Sequence, residues 1–189
     1  MLYILIGIAA FGLYAIYDIN SVRWKKKAPA AFFFLGSLLL LGATVLGLVQ
    51  TCMEGAIRPL PGGLWVLFAA LAALSFALMI YTLFFALPFQ ETYVEPRAPG
   101  KVCDRGMYAL CRHPGVIWFC LGYLNLALLT GSGLMWGMGT CFSLLNIAYV
   151  VFQDRWTFMR TFEDYDGYRK RVPFLIPTKE SIRRAWQTR

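Results

Sequence analysis

The sequence predicts an all-α protein that crosses a membrane five times, with the fourth and fifth helices forming a hairpin before a polar C-terminal segment. Three observations lead there. Of the 189 residues, 59% are hydrophobic and the mean hydropathy is +0.57, more apolar surface than a water-soluble domain can cover. Several apolar runs approach the roughly 20 residues that span a bilayer. Lys and Arg are crowded into a few connectors, the asymmetry that orients membrane helices.

The first apolar run extends from Leu2 to about Tyr17. It has no basic leader and no A-x-A cleavage pattern, so it reads as a retained helix and not as a signal peptide. It ends at Asp18-Ile19-Asn20, before Arg23-Trp24-Lys25-Lys26-Lys27. A second run covers Ala28 to about Thr51, and Pro59, Pro61 and a Gly pair then make a tight connector. The third run, Leu64 to Leu87, is broken by Pro88. Pro88 to Arg112 is polar, after which Val116 to Phe152 is apolar except at Thr130-Gly131-Ser132-Gly133. That break divides the run into two helices with almost no loop between them. From Gln153 the helical pattern continues to about Tyr168 and carries the chain into the headgroup region. The whole of 1–189 reads as one integral membrane domain, with three spans in 1–87 and a loop, hairpin and tail in 88–189.

The net charge of +8 would raise nucleic acid as a partner in a soluble protein. Here the basic residues sort by side of the membrane, which argues for a membrane and against nucleic acid. The 18–27 connector holds four, 88–115 holds four and the tail nine, whereas the opposite connector has only Arg58. This places the N-terminus outside and the tail in the cytoplasm. The five cysteines, Cys52, Cys103, Cys111, Cys120 and Cys141, form no CxxC pair, and the chain has one histidine, so no metal site is expected. Most of the cysteines read as small apolar filler, and Cys111 stays open because it adjoins Arg112 and His113.

There is no phosphate-binding glycine loop, no GxSxG elbow and no HExxH. Asn125 and Asn146, one in each helix of the hairpin, suggest a hydrogen bond between those helices. Gly133, Gly137 and Gly139 suggest close packing. The polar groups able to act together collect at one edge, and Arg112-His113-Pro114 is its centre. Composition alone leaves two readings of that triplet: helix punctuation, with Pro at the first turn, or part of a binding site.

The segment Gly106-Met107-Tyr108-Ala109-Leu110-Cys111-Arg112-His113-Pro114 resembles the G-x-Y-x-x-x-R-H-P motif of the isoprenylcysteine carboxyl methyltransferase family and its phospholipid methyltransferase relatives. Downstream, Gln153-Asp154, Tyr165-Asp166-Gly167-Tyr168 and Arg171-Val172-Pro173 resemble that family's acidic pair, Y-x-x-Y and R-V-P elements. The resemblance covers about residues 100–177. The chain departs from the pattern at Val116 and Trp118, where the family has Tyr and Gly. Gln153-Asp154 stands for two glutamates, and Thr161-Phe162 for F-G.

The resemblance implies an integral membrane methyltransferase using S-adenosylmethionine and releasing S-adenosylhomocysteine, with a hydrophobic isoprenoid, lipid or carboxylate acceptor entering from the bilayer. It assigns the cofactor to Tyr108, Leu110, Cys111, Arg112, His113, Pro114, Gln153 and Asp154. The acceptor falls to Trp118, Tyr165, Tyr168 and Arg171, and catalysis to Gln153 and Arg171. Such a cofactor has a cationic sulfur and a carboxylate, which suit an acidic or amide wall and a basic wall. Methyl transfer needs alignment and exclusion of water more than acid–base catalysis. Two other readings stand beside it: a non-catalytic membrane protein keeping the fold, and a nicotinamide-dependent membrane reductase.

Overall fold

The computed structural model of the chain describes residues 1–25, 31–57, 60–86 and 102–188. Every regular element among these residues is helical. Helix α1 runs Leu2–Ile19, α2 Phe32–Met53, α3 Leu64–Phe84, α5 Pro114–Thr130 and α6 Gly133–Phe152; a short α4, Met107–Leu110, precedes α5. Beyond α6 come α7 (Phe158–Thr161), α8 (Tyr165–Arg171) and α9 (Lys179–Gln187). Four helical stretches, Leu2–Trp24, Phe32–Met53, Leu64–Phe84 and Gly133–Thr161, are long and apolar enough to cross a membrane. With α5 between them, the chain is a multi-pass helical protein of the membrane type.

The runs foreseen in the sequence thus become helices within a few residues of their expected ends. The hairpin is as tight as expected: α5 stops at Gly131, whose φ of 61° caps the helix in the left-handed region, and Ser132 leads into α6. Two features depart from expectation. The helix after Gln153 does not run unbroken to Tyr168, because Phe162 is extended and α8 starts afresh at Tyr165. And α1 and α6 each end in one wide π-turn, Asn20–Trp24 and Gln153–Thr157, in which the amide five residues on closes the ring. Lys26, Lys27, Arg58, Arg97, Lys101 and Arg189, used in the charge count, lie outside the described residues, as does most of the 88–112 loop.

The core sits where α1, α2, α5 and α6 meet: Phe11, Tyr14, Leu40, Phe119, Tyr123, Met135, Met138 and Phe142 are all buried there. Tyr123 shares a 2.6 Å hydrogen bond with Thr44 of α2, and Tyr14 donates to Ser37 at 3.1 Å. α3 lies along α5, its Phe76 ring packing edge-on to Tyr123. Outward faces of α2 and α3 show Leu38, Leu41, Leu46, Leu67 and Leu74, the lipid-facing surface of a bundle without a polar face.

The small-residue expectations divide. A Cβ on Gly139 would meet Tyr123 at 3.3 Å, so α5 and α6 do approach closely there, whereas Gly137 makes ordinary contact and Gly133 faces open space. Asn125 does not reach across to α6; it donates to the carbonyl of Leu121 in its own helix at 2.7 Å, a local bond that a membrane helix always offers. The tightest position is one the sequence did not flag. A Cβ on Gly7 would lie 2.0 Å from a ring carbon of the fully buried Phe142. Gly7→Ala is therefore expected to lower stability by about 1–3 kcal/mol. Gly12→Ala, with nothing within 4 Å, serves as the control in detergent thermal unfolding, and equal midpoints for the two variants would refute the close approach.

Candidate functional site

The polar end of the bundle is organised by a chain reversal. Gly106, at φ 54° and ψ −121°, takes a backbone conformation open to glycine and starts α4. Tyr108 then reaches α3, its hydroxyl donating to the Thr82 carbonyl at 3.1 Å. After Leu110 the chain extends at Cys111. The amide of Arg112 donates to the Pro173 carbonyl at 2.9 Å, and that of His113 to Phe174 at 3.3 Å. Pro114 opens α5, where its missing N–H costs nothing. Punctuation and site thus coincide in one tripeptide.

Onto this clasp α6 delivers Asp154. Its carboxylate accepts from Arg112 Nε at 2.8 Å and Nη2 at 3.2 Å, and from the Tyr165 hydroxyl at 2.6 Å. His113 Nε2 stands 3.4 Å from Oδ1, and Arg169 Nε 3.8 Å from Oδ2. Arg112 spends its Nη1 on the carbonyls of Arg169 at 2.8 Å and Val172 at 3.0 Å. With four hydrogen bonds made, it is held as firmly as it holds. Tyr168 donates to the Tyr108 carbonyl at 2.7 Å, so the two tyrosines of Y-x-x-Y tie the tail to two places, Tyr165 to Asp154 at the end of α6 and Tyr168 to α4. Phe158 stacks on the His113 ring and Phe174 meets it edge-on.

Burial sets the protonation states. It pushes the Cys111 thiol up to about 11, so the thiol stays protonated near neutral pH. Burial also draws His113 below its ordinary value, Asp154 opposing and Arg112 reinforcing it. The folded state therefore holds a neutral imidazole that the unfolded chain would protonate. Stability from this residue is present above the unfolded value of 6.5 and is lost as pH falls through it. The unfolding midpoint in detergent is expected to drop between about pH 7 and about pH 5, and His113→Gln to flatten that dependence. An identical slope in the variant would show that other groups cause it.

Gln153 and Asp154, adjacent in sequence, serve different neighbourhoods. Gln153 donates to the Tyr149 hydroxyl at 2.9 Å, and it shares with Tyr149 and Thr157 the company of Asp18 from α1. Asp18 is 3% exposed, and its Oδ2 has no hydrogen-bond partner; the Thr157 hydroxyl and the Trp118 indole N–H are likewise buried and unpartnered. Unsatisfied buried polar atoms are rare in folded proteins, and each calls for a water, an ion or a ligand to complete it. Sequence reading missed Asp18 as a site residue. The available signal was that it is the only acid before Glu54, carried on an apolar run.

Most sequence-predicted site residues converge: Tyr108, Cys111, Arg112, His113, Pro114, Asp154, Tyr165 and Tyr168 make one cluster, with Gln153 on its α1 side. Leu110 only ends α4. Arg171 turns elsewhere, exposed and 3.6 Å from Asp104. Compared with family models, with curated proteins and with solved structures, the chain gives no match in any of the three. Fold and site together define a multi-pass helical membrane protein whose polar end is closed by a buried arginine–aspartate clamp.

Proposed function

We propose that this chain is an integral membrane methyltransferase that uses S-adenosylmethionine and acts on a hydrophobic acceptor reaching it through the bilayer. One observation carries the reading. The two segments that resemble the methyltransferase family, 42 residues apart between Arg112 and Asp154, meet in one cluster in which Tyr108, Arg112 and His113 of the first engage Asp154, Tyr165 and Tyr168 of the second.

The side chains suit the cofactor. A buried carboxylate oxygen of Asp18 lacks a partner, and a cationic sulfur or an ammonium is the complement it needs. The Trp118 indole N–H is a buried donor that is also unspent. When bound, the cofactor supplies a methyl group on a positively charged sulfur. The protein's part is alignment and dryness: Asp18 and Gln153 hold the cationic side, while the Arg112–Asp154–Tyr165 clamp fixes the wall against which a ligand is positioned. On this reading the acidic charge that Gln153 lacks is supplied from α1.

The reading includes five spans. α5, at 17 residues, is about 25 Å long, a few ångströms short of the hydrocarbon layer. Polar Arg112-His113 and Thr130-Gly131-Ser132 at its ends complete the crossing. The N-terminus then faces outward, and the tail and site the cytoplasm.

The closed Arg112–Asp154 pair favours a second reading, a non-catalytic membrane protein in which the clamp is structural. Calorimetric titration of the detergent-purified chain with S-adenosylhomocysteine, and with NADPH alongside, decides. Saturable heat with the first ligand alone is the expected result; none, with no thermal stabilisation, ends the methyltransferase reading.

A further inference from the structure

We propose that the tail carries a second binding site, a cationic cavity that takes the phosphate of an anionic lipid headgroup. The cavity, of about 620 Å³, lies between the end of α8 and α9 and is lined by Lys170, Arg171, Lys179, Glu180, Arg183 and Arg184. Five of its six lining residues are cations. Two of them are already matched, Lys170 with Asp166 at 2.6 Å and Arg171 with Asp104 at 3.6 Å. Arg184 is turned to the carbonyl of Arg171, and Glu180 lies one turn before it on the same helix. Among the described residues no carboxylate pairs with Lys179 or Arg183, which stand one turn apart on α9. Their charges are left for an external anion.

The cavity is built and not merely decorated. α9 starts with a reciprocal cap, Thr178 accepting from the Ser181 amide and Ser181 from the Thr178 amide. Ser181 is fully buried. At its other end Thr188 accepts from the Gly106 amide at 3.2 Å, so the helix is fixed against α4. Lys179 and Arg183, exposed and one turn apart on this anchored helix, both line the cavity.

The neighbours of the cavity select a lipid over a free ion. Ile176, 83% exposed, sits on the segment leading into α9, and Ile182 and Trp186, the latter 68% exposed, stand one turn apart on α9 itself. A small anion has no use for exposed apolar groups beside its site. A headgroup with its glycerol and upper acyl region does, and basic residues mixed with Trp and Ile are what an interfacial helix presents. This site shares no residue with the Asp18–Asp154 region, so it stands whether or not the methyltransferase reading does.

The full chain is reconstituted in nanodiscs of phosphatidylcholine alone and of phosphatidylcholine with about 30 mol% phosphatidylglycerol, and its unfolding midpoint is read in each. The anionic lipid is expected to raise the midpoint by about 3–6 °C. Lys179→Gln/Arg183→Gln should lose most of that rise while keeping its midpoint in phosphatidylcholine. Arg105→Gln/Arg155→Gln, which removes two exposed charges elsewhere in the polar region, should keep it. Equal losses in the two double variants would mean diffuse attraction to the surface and overturn the site. So would the absence of any rise, and so would inorganic phosphate giving the same rise in phosphatidylcholine discs.

Discussion

Replacing Asp154 by Asn is expected to cost about 3–5 kcal/mol of stability, the penalty for stranding a buried charge. The side chain of Arg112 is 9% exposed, and after the change its guanidinium faces an amide that cannot offset its charge. Tyr165 also loses its charged acceptor. Arg112→Gln should be comparably harmful from the opposite side. The double change Arg112→Met/Asp154→Leu should recover a large part of the loss, because removing both members of a buried pair costs far less than removing one. Thermal unfolding in detergent for the three variants and the parent gives the cycle. Single variants within about 1 kcal/mol of the parent would mean that the pair is hydrated and that the clamp described here holds nothing.

Replacing Asp18 by Asn should separate affinity from stability. Asp18 Oδ2 is buried without a hydrogen bond while Tyr149, Gln153 and Thr157 lie beside the same carboxyl, so the variant is expected to unfold at about the same temperature as the parent. Its ligand affinity should fall. A charge-assisted contact contributes about 1.5–3 kcal/mol, so binding of S-adenosylmethionine should weaken on the order of ten- to a hundredfold. S-adenosylhomocysteine, without charge on sulfur, should lose less, and the ratio of the two losses measures what the carboxylate does to the sulfonium. Equal weakening of both would place Asp18 at the ammonium or leave it structural. Unchanged affinity for both would remove it from the site. A loss of affinity without a loss of stability is the pattern expected of a binding residue.

What could be read in the sequence follows from range. The long helices were legible because a run of some 20 apolar residues has few other uses, and Gly131 and Pro114 mark helix ends by backbone chemistry alone. The short α4, the break at Phe162 and the two π-turns leave no comparable trace, since each depends on what packs against it. The motifs named Arg112, His113, Tyr165 and Asp154, which the fold brings side by side. They did not tell which group satisfies which, and the basic and acidic walls turn out to satisfy each other. Asp18 lay hidden for the same reason. One acid at the end of an apolar run looks like a boundary until α6 is seen to lay Tyr149, Gln153 and Thr157 beside it.

The two amide bonds from Arg112 and His113 to Pro173 and Phe174 also impose an order of assembly. They join chain positions some 60 residues apart, and the partner carbonyls are synthesised only after all five long helices. While the long helices are entering the bilayer, Arg112 lacks its Val172 and Arg169 acceptors and Asp154 lacks Tyr165. The polar end therefore stays wet and open through insertion and dries only when the tail folds back. Distant closures of this kind are slow, which makes the tail a quality check on the finished protein: a bundle whose helices have inserted wrongly has no corner for Tyr165 and Tyr168 to lock.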